Sequence, residues 1–561
     1  WARVRVSGPA GARVLVEYCE LPSDPELVPD IHPSKMKFKI GDPDYASFYD
    51  KSINIRQQNG YILKGKGTET FECRFSYKGF QYIRVTADEG VTVERVEGVP
   101  VHTDVADAGS FVCSNETVNR LQQMSRATLL NNIHSIPTDC PHREKQGWTA
   151  DTYMTDQTAI YNFDMAAFYA KWATDLAGTA DRNGGLCTVA PSTGYDQSIS
   201  TVWPAAIVFV PWDLLCYYGD RRVVERHYET MKRFAESSLL RQADGKPEII
   251  REVLGDWVSP HMTLSDTLQS YEMAPPEGLT LYGTASHYRV VKYLAGIARY
   301  LDRPQEAERM DAWAARIAES FNREFFDPAT KTYHGDKPTP YRQAANVVPL
   351  EYGIVPQSDR DAVQRNLISD LQKYDGRIGT GFVGTMALMD LLPQVDPELA
   401  YRLATQPAYP GWGFMVANGA NTMWETWDGS ASRNHPPFCL ISGYFYKYLA
   451  GIRCVSEYPG FKRFVIDPSV VGDLTFVEAW HDSMYGRIES GWKRDGERLT
   501  LDVTVPVNTS AVVHVPAASA EGITESGRPA AEAPGVRFLR MENGKALYEV
   551  VSGTYRFQSS I

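Results

Sequence analysis

The hydrophobic period changes twice along this chain, and that change fixes what it can fold into. Up to about residue 112 apolar residues alternate with polar ones, as in 12–18 (ARVLVEY), 80–85 (FQYIRV) and, less cleanly, 91–96 (VTVERV). Glycines at 11, 60, 65, 67 and 79 separate these runs. Alternation predicts strands with one buried face, and the glycines predict turns. After Ser114, a suitable N-cap, the spacing lengthens to three and four residues: Val118, Leu121 and Met124, then Val224, Tyr228, Met231 and Phe234, then Val290, Leu294, Ile297 and Leu301. Pro304 opens a further helix carrying Met310, Trp313, Ile317 and Phe321, and another carries Val363, Leu367 and Leu371. Such spacing puts each set on one helix face. From about residue 453 alternation returns, in 475–481, 498–505 and 510–515. The order is β, then α, then β.

Three units are therefore expected: an N-terminal antiparallel β-sandwich over 1–112, a helical domain over 113–452 and a C-terminal antiparallel β-sandwich over 453–561. The first strand set is expected to be incomplete at its start, since Trp1 opens directly into strand-like sequence. Paired helices over some 340 residues fit a toroid of helical hairpins or a bundle, and periodicity does not separate the two. No fixed repeat marks a solenoid.

Within the helical part, 136–151 reads IPTDCPHREKQGWTAD. It gathers Asp139, Glu144 and Asp151, the basic Arg143 and Lys145, His142 and Trp148. Charged groups are rarely buried unless paired, so this is no ordinary core segment. Carboxylates for acid and base work, an Arg to fix hydroxyls and an indole to cover an apolar face suit a sugar site. The competing reading is a surface loop of solvated ion pairs. Two further tracts share this character. One is LGDWVSP, with Asp256 and Trp257. The other is 409–435, where Glu425 stands between Trp424 and Trp427 and is followed by Asp428 and His435. A carboxylate between indoles is expected to have a raised pKa through desolvation; the alternative makes both indoles simple core. Trp203 is a weaker candidate, and His134, His227 and His287 read as structural or surface histidines.

Composition excludes other classes. Net charge is −12 with no basic stripe, which argues against nucleic acid and anionic membranes as partners. No apolar run is long enough to span a bilayer. The eight cysteines are scattered, with no metal-ligand spacing and no nucleotide-binding signature nearby, so no metal and no cofactor is expected. Nothing makes Cys140 a nucleophile. Compartment (periplasmic, secreted or cytoplasmic) and oligomeric state stay open.

DCPHREKQGWTAD, LGDWVSP, and GWGFMVANGANTMWETWDG followed by NHPPF together resemble the bacterial α-L-rhamnosidases of glycoside hydrolase family 78. The strand region 54–85 is similar to that preceding the family's catalytic domain, so the resemblance runs from about residue 50 to 490. It implies an (α/α)6 toroid flanked by β-sandwiches and inverting release of terminal α-L-rhamnose. It implies Glu144 as general acid and Glu425 as general base, with Asp139, Arg143, Trp148 and Asp151 lining the sugar site and Trp203, Trp257 and His435 joining them. The chain departs from the family in three places. The interval before Gly147-Trp148 is one residue shorter and has one acid fewer, Thr426 stands where many members have Arg, and Pro204-Ala205 follows Trp203 where many have Gly-Asp. An inverting pair is expected to stand about 6.5–9.5 Å apart, with the acid held protonated and the base ionised. The alternatives are another exo-glycosidase or a polysaccharide lyase on the same toroid, or a non-catalytic carbohydrate-binding protein.

Overall fold

The computed structural model describes residues 1–20, 57–194, 200–260 and 271–561. Residues 54–56 of the N-terminal resemblance lie outside them. In the N-terminal unit, strands Ala2–Ser7 (β1), Arg13–Cys19 (β2), Gln58–Ile62 (β3), Thr68–Glu72 (β4), Tyr82–Ala87 (β5) and Thr92–Gly98 (β6) form two three-stranded antiparallel sheets, ordered β4-β1-β6 and β3-β2-β5. Alternation has its physical outcome here. Ala2, Val4 and Val6 of β1 and Val14, Val16 and Tyr18 of β2 all point into one small shared core.

Strand Gly109–Cys113 (β7) behaves differently. It was expected to close the N-terminal unit at residue 112, but it pairs with Phe476–Ser483, in register Cys113↔Val477 to Gly109↔His481. It is therefore an edge of the C-terminal sheet. Its alternation is as good as that of its neighbours, and alternation says nothing about which sheet a strand joins. The runs 498–505 and 510–515 are likewise one long strand, Arg498–Pro516, paired with Lys545–Ser560 through a register shift between Val505 and Ser510.

The central part is helical. Helix Glu116–Asn131 (α1) is capped by Asn115, whose side chain accepts from the Val118 N–H at 3.2 Å. Ser114, the expected cap, instead accepts from the Thr475 N–H. Both residues are good caps by type, and the C-terminal sheet claims the first. The helices that follow include Thr149–Tyr153 (α2), Asp156–Asn162 (α3), Ala166–Ala177 (α4), Ala206–Tyr218 (α5), Arg221–Ser238 (α6), Thr280–Tyr300 (α7), Pro304–Phe325 (α8), Gln343–Tyr352 (α9), Arg360–Lys373 (α10), Phe382–Val395 (α11), Pro397–Thr405 (α12), Trp412–Ala417 (α13) and Leu440–Tyr444 (α14). Val224, Tyr228, Met231 and Phe234 face inward from α6, as their spacing requires. Sequence neighbours pack in pairs: α4 on α5, α7 on α8, α9 on α10 and α11 on α12. A second set of contacts runs α3 to α5, α5 to α7, α7 to α9, α9 to α11, α11 to α14, and back to α3. No helix among the described residues is long and apolar enough to cross a membrane.

A cluster of charged residues lies between these helices. Asp156 of α3, Asp213 of α5, Arg289 of α7, Asp390 of α11 and Lys447 line one cavity. Lys447 Nζ donates to Asp390 and to Gln157, and Gln157 Nε2 donates to both oxygens of Asp213 at 3.2 Å. Arg289 lies over the rings of Phe209, Tyr293 and Tyr352. Asp156 Oδ1 accepts from the Gln157 N–H at 2.7 Å, while no donor among the described residues reaches Oδ2, whose neighbour is the Asp213 carboxylate. Burial, then Asp213, push the Asp156 carboxyl well up, so it keeps a proton that Asp213 can accept. A carboxyl protonated in the fold but ionised in the unfolded chain costs stability as pH rises above the ordinary Asp value of about 3.9. Asp156→Asn supplies a permanent donor in place of that proton. It should raise Tm at pH 8 by about 2 °C or more, with the gain shrinking toward pH 4, in calorimetry across that range. An equal change at both pH values would remove the shared proton.

Candidate functional site

The 136–151 tract is a closed loop ending in a short helix. The Asp139 N–H donates to the Gln146 carbonyl at 3.0 Å, and Asp139 Oδ1 accepts from the Gln146 N–H at 2.9 Å. Asp139 thus ties the loop across its mouth while lying 1% exposed. Lys145 takes the left-handed conformation (φ 56°) that lets the chain reverse. Gly147 is held against the segment before Pro191: a Cβ there would stand 2.1 Å from the Ala190 oxygen. Helix α2 then presents Asp151 in its first turn.

The Glu425 segment is an irregular loop. The Glu425 N–H donates to the Ser432 carbonyl at 2.8 Å, the Ser432 N–H returns to Glu425 Oε2 at 3.1 Å, and the His435 N–H donates to the Met423 carbonyl. Trp427 is fully buried, stacked on Phe438 at 3.8 Å, with its indole N–H on the Thr380 carbonyl. Trp424 is buried under the Arg433 guanidinium. The two indoles are core after all, and they aim Glu425 the other way, toward the first loop.

There the two loops meet on one atom. Arg143 Nη2 stands 2.7 Å from Glu425 Oε2 and 3.0 Å from Glu144 Oε1. The Trp148 indole N–H donates to Glu144 Oε2 at 2.8 Å. On the far side His435 Nδ1 lies 3.8 Å from Glu425 Oε2, and His435 Nε2 lies 2.9 Å from Asp151 Oδ1. The chain Trp148–Glu144–Arg143–Glu425–His435–Asp151 is continuous. Two oxygens on one nitrogen are at most about 6 Å apart, so Arg143 draws the near edges of the carboxylates inside the spacing of about 6.5–9.5 Å expected between whole groups of an inverting pair.

Electrostatics separates these groups. Burial raises the Glu425 pKa, but His435 and Arg143 outweigh it and leave the carboxyl below its ordinary value. The desolvation-raised Glu425 expected from its flanking indoles is therefore corrected: the cations facing it decide. Burial disfavours the His435 charge, yet Glu425 and Asp151 bring it up to about 9, so it is an imidazolium at neutral pH. Asp139 is pushed up by burial and by Glu144, and Asp151 by burial against the opposing pull of His435.

Asp139, Cys140 and His435 offer an oxygen, a sulfur and a nitrogen within 4.8 Å of one another. Burial pushes the Cys140 thiol far up, and it donates to Asp139 Oδ2 at 3.0 Å, the behaviour of a packed thiol.

Trp203 and Trp257 are less closely tied. Trp203 is buried in the turn before α5, which packs on α2, and Trp257 is half-buried with its carbonyl accepting from the Phe382 N–H. Among the described residues, neither ring makes a hydrogen bond or ring contact with the charged chain. Asp256, beside Trp257, accepts from the Gly381 and Gly384 N–H groups at 2.7 Å and so anchors the start of α11. His287 is a structural histidine, fully buried on the Ala235 carbonyl. Sequence reasoning missed Ser432 and Glu20. Glu20, just past β2, accepts from the Arg433 N–H at 2.8 Å and reaches His142 at 3.4 Å. Neither residue type nor spacing marks such a contact.

Paired carboxylates on an arginine, an imidazolium behind one and an indole on the other, all at the ends of packed helices, are the furnishings of a glycosidase-type helical domain. Residues 106–449 match the bacterial alpha-L-rhamnosidase six-hairpin glycosidase domain, 451–529 the C-terminal domain and 1–102 the concanavalin-like domain of the same enzymes. The chain belongs to the bacterial α-L-rhamnosidase family. It is 29% identical over 491 residues to an alpha-L-rhamnosidase of Formosa agariphila, covering 83% of this chain and 50% of that one. The alpha-L-rhamnosidase structure from Dictyoglumus thermophilum is similar with a TM-score of 0.87 at 30% identity, over 100% of this chain and 60% of that one. The Streptomyces avermitilis alpha-L-rhamnosidase complexed with L-rhamnose gives 0.82 at 27%, over 99% and 50%. The chain therefore spans between half and three-fifths of these relatives' length.

The His435 charge is directly measurable. In nitrogen-15 NMR its ring should titrate near pH 9, and Asp151→Asn should move it down toward the ordinary value of about 6.5. A ring that titrates near 6.5 in the unsubstituted protein would contradict the arrangement.

Proposed function

We propose that this chain is an inverting, exo-acting α-L-rhamnosidase that releases terminal α-L-rhamnose from rhamnosides or rhamnose-containing polysaccharides. One observation carries the reading. Arg143 Nη2 holds Glu144 and Glu425, 281 positions apart in sequence, at 3.0 and 2.7 Å. Binding alone requires no such pair.

In this reading Glu144 is the general acid. Its proton passes to the glycosidic oxygen as the bond to the anomeric carbon breaks. Glu425 is the general base. Its Oε2 takes the contacts from Arg143, Ser432 and His435, which leaves Oε1 to receive a proton from the water that attacks the opposite face. Arg143 and His435 keep Glu425 ionised for that step. Trp148 orients Glu144 through its N–H and offers its ring to the apolar face and methyl group of rhamnose. Asp139 and Asp151 supply hydroxyl partners, with Trp203 and Trp257 in the outer wall. Entry of the sugar opens the Arg143–Glu144 contact, the more exposed of the two, and restores the wider spacing that a water needs.

The same reading makes the domain an (α/α)6 toroid, supported by the contact path α3-α5-α7-α9-α11-α14-α3 with a second helix outside most of its members. It divides the chain into an N-terminal sheet unit, a helical unit over about 113–452 and a C-terminal sheet unit from 453, with β7 lent to the last.

The acid and base roles are tested separately by substrate choice. Glu425→Gln should lower turnover of every α-L-rhamnoside by about 10²–10⁴-fold. Glu144→Gln should do so for alkyl rhamnosides but much less for aryl rhamnosides, whose leaving group needs little protonation. Near wild-type turnover in Glu425→Gln would contradict the base assignment. Cleavage of some other α-glycoside and of no rhamnoside would contradict the substrate.

A further inference from the structure

The N-terminal sheet unit touches the site at the points where its geometry is set. Glu20 follows strand β2 directly, and β2 is held by antiparallel pairing to both β3 and β5. Its Oε2 accepts from the Arg433 N–H at 2.8 Å and lies 3.4 Å from His142 Nε2. His142 precedes Arg143 in the loop that carries Glu144. Arg433 follows Ser432, whose N–H binds Glu425 Oε2. One oxygen of a separate unit thus sits one residue from the acid-side arginine and one residue from the base-side clamp.

The surroundings make this a fixed point. The Glu20 and His142 side chains are 13% and 6% exposed, so water does little to screen the pair. Gly79 of the same unit packs so closely that a Cβ would lie 2.6 Å from the Pro141 carbonyl carbon and 2.7 Å from the His142 nitrogen. Lys145 Nζ donates to the Tyr77 carbonyl at 2.8 Å and lies over the Tyr77 ring. On the other loop, Arg433 Nε donates to the Gly429 carbonyl while its guanidinium covers Trp424.

We propose that Glu20 is a positioning residue: it clamps the Glu144 loop to the Glu425 loop and so makes the N-terminal sheet unit part of the catalytic machinery. Glu20 acts through His142 and Arg433 and touches neither carboxylate. Displacements of about 1 Å between reacting groups cost on the order of 10²-fold in rate, so a clamp at this point governs kcat more than KM. The kinetic half of this inference rests on the α-L-rhamnosidase reading, and the structural half does not.

The test uses the full chain with two readouts. In Glu20→Ala, amide exchange should speed up at least about tenfold in 139–146 and in 425–433 and stay unchanged in β2, while kcat on an aryl α-L-rhamnoside falls about 10–100-fold with KM within about threefold. Glu20→Gln keeps the acceptor for the Arg433 N–H and should restore protection of 425–433, with kcat between the two. Wild-type exchange in both loops with kcat within about twofold overturns the proposal. If Glu20→Ala also loosens β2, Glu20→Gln decides: protected 425–433 with lowered kcat supports the clamp, and unchanged kcat contradicts it. A wild-type chain inactive on α-L-rhamnosides would sink the functional reading alone, because loop exchange is measured without turnover.

Discussion

The site depends on one half-buried guanidinium group. Glu425 is almost inaccessible to water, and a lone carboxylate there would be costly to ionise. Arg143 and His435 make ionisation favourable instead. Arg143 is itself disfavoured by burial and is held charged by the carboxylates of Glu425 and Glu144. Such a set is stable only as a unit, because removing one member leaves its partner buried and unpaired. The same unit gives the two carboxylates different environments. Glu425 is enclosed by cations, while Glu144 is about a third exposed and held by one indole N–H and one edge of the guanidinium. Separating the environments of two acids is how one site runs acid and base chemistry at a single pH.

The scaffold supports this from three directions. The helix ends bring in α2 with Asp151 and α11 with Phe382, whose ring lies against His435 at 5.9 Å. Asp256 pins the start of α11 through two backbone N–H groups. The N-terminal unit meets the two site loops through Glu20, Tyr77 and Gly79. The C-terminal sheet is fastened below, where Trp492 and Ser490 donate to the Leu449 and Ala450 carbonyls. Strand β7 joins that sheet to the start of α1, so neither sheet unit is a passive appendage.

Much of this was legible in the sequence. Period distinguished strands from helices because burial is periodic, and Val224, Tyr228, Met231 and Phe234 lie inward as their spacing demanded. The polar tract revealed itself because charged residues around a Gly-Trp pair fit no core. What stayed hidden was set by distance. That β7 belongs to the far sheet, that Ser114 is taken by Thr475, and that Glu20 meets Arg433 are all long-range facts without a local signature. The direction of the Glu425 shift was misjudged for the same reason. Its flanking indoles were visible beside it, and the cations that face it were 282 residues upstream and ten residues downstream. Trp203 and Trp257 were read from polar-aromatic tracts and from the resemblance, and among the described residues neither ring makes a hydrogen bond or ring contact with the charged chain.

The central claim is that Glu144 and Glu425 act as acid and base across one sugar, without a covalent intermediate. The stereochemistry of the first product tests it most directly. Proton NMR of an aryl α-L-rhamnoside, recorded from the first minutes of hydrolysis, should show the β-anomer of free rhamnose before mutarotation. If the α-anomer appears first, the reaction retains configuration, a nucleophile takes the place of the activated water, and the role given to Glu425 is wrong.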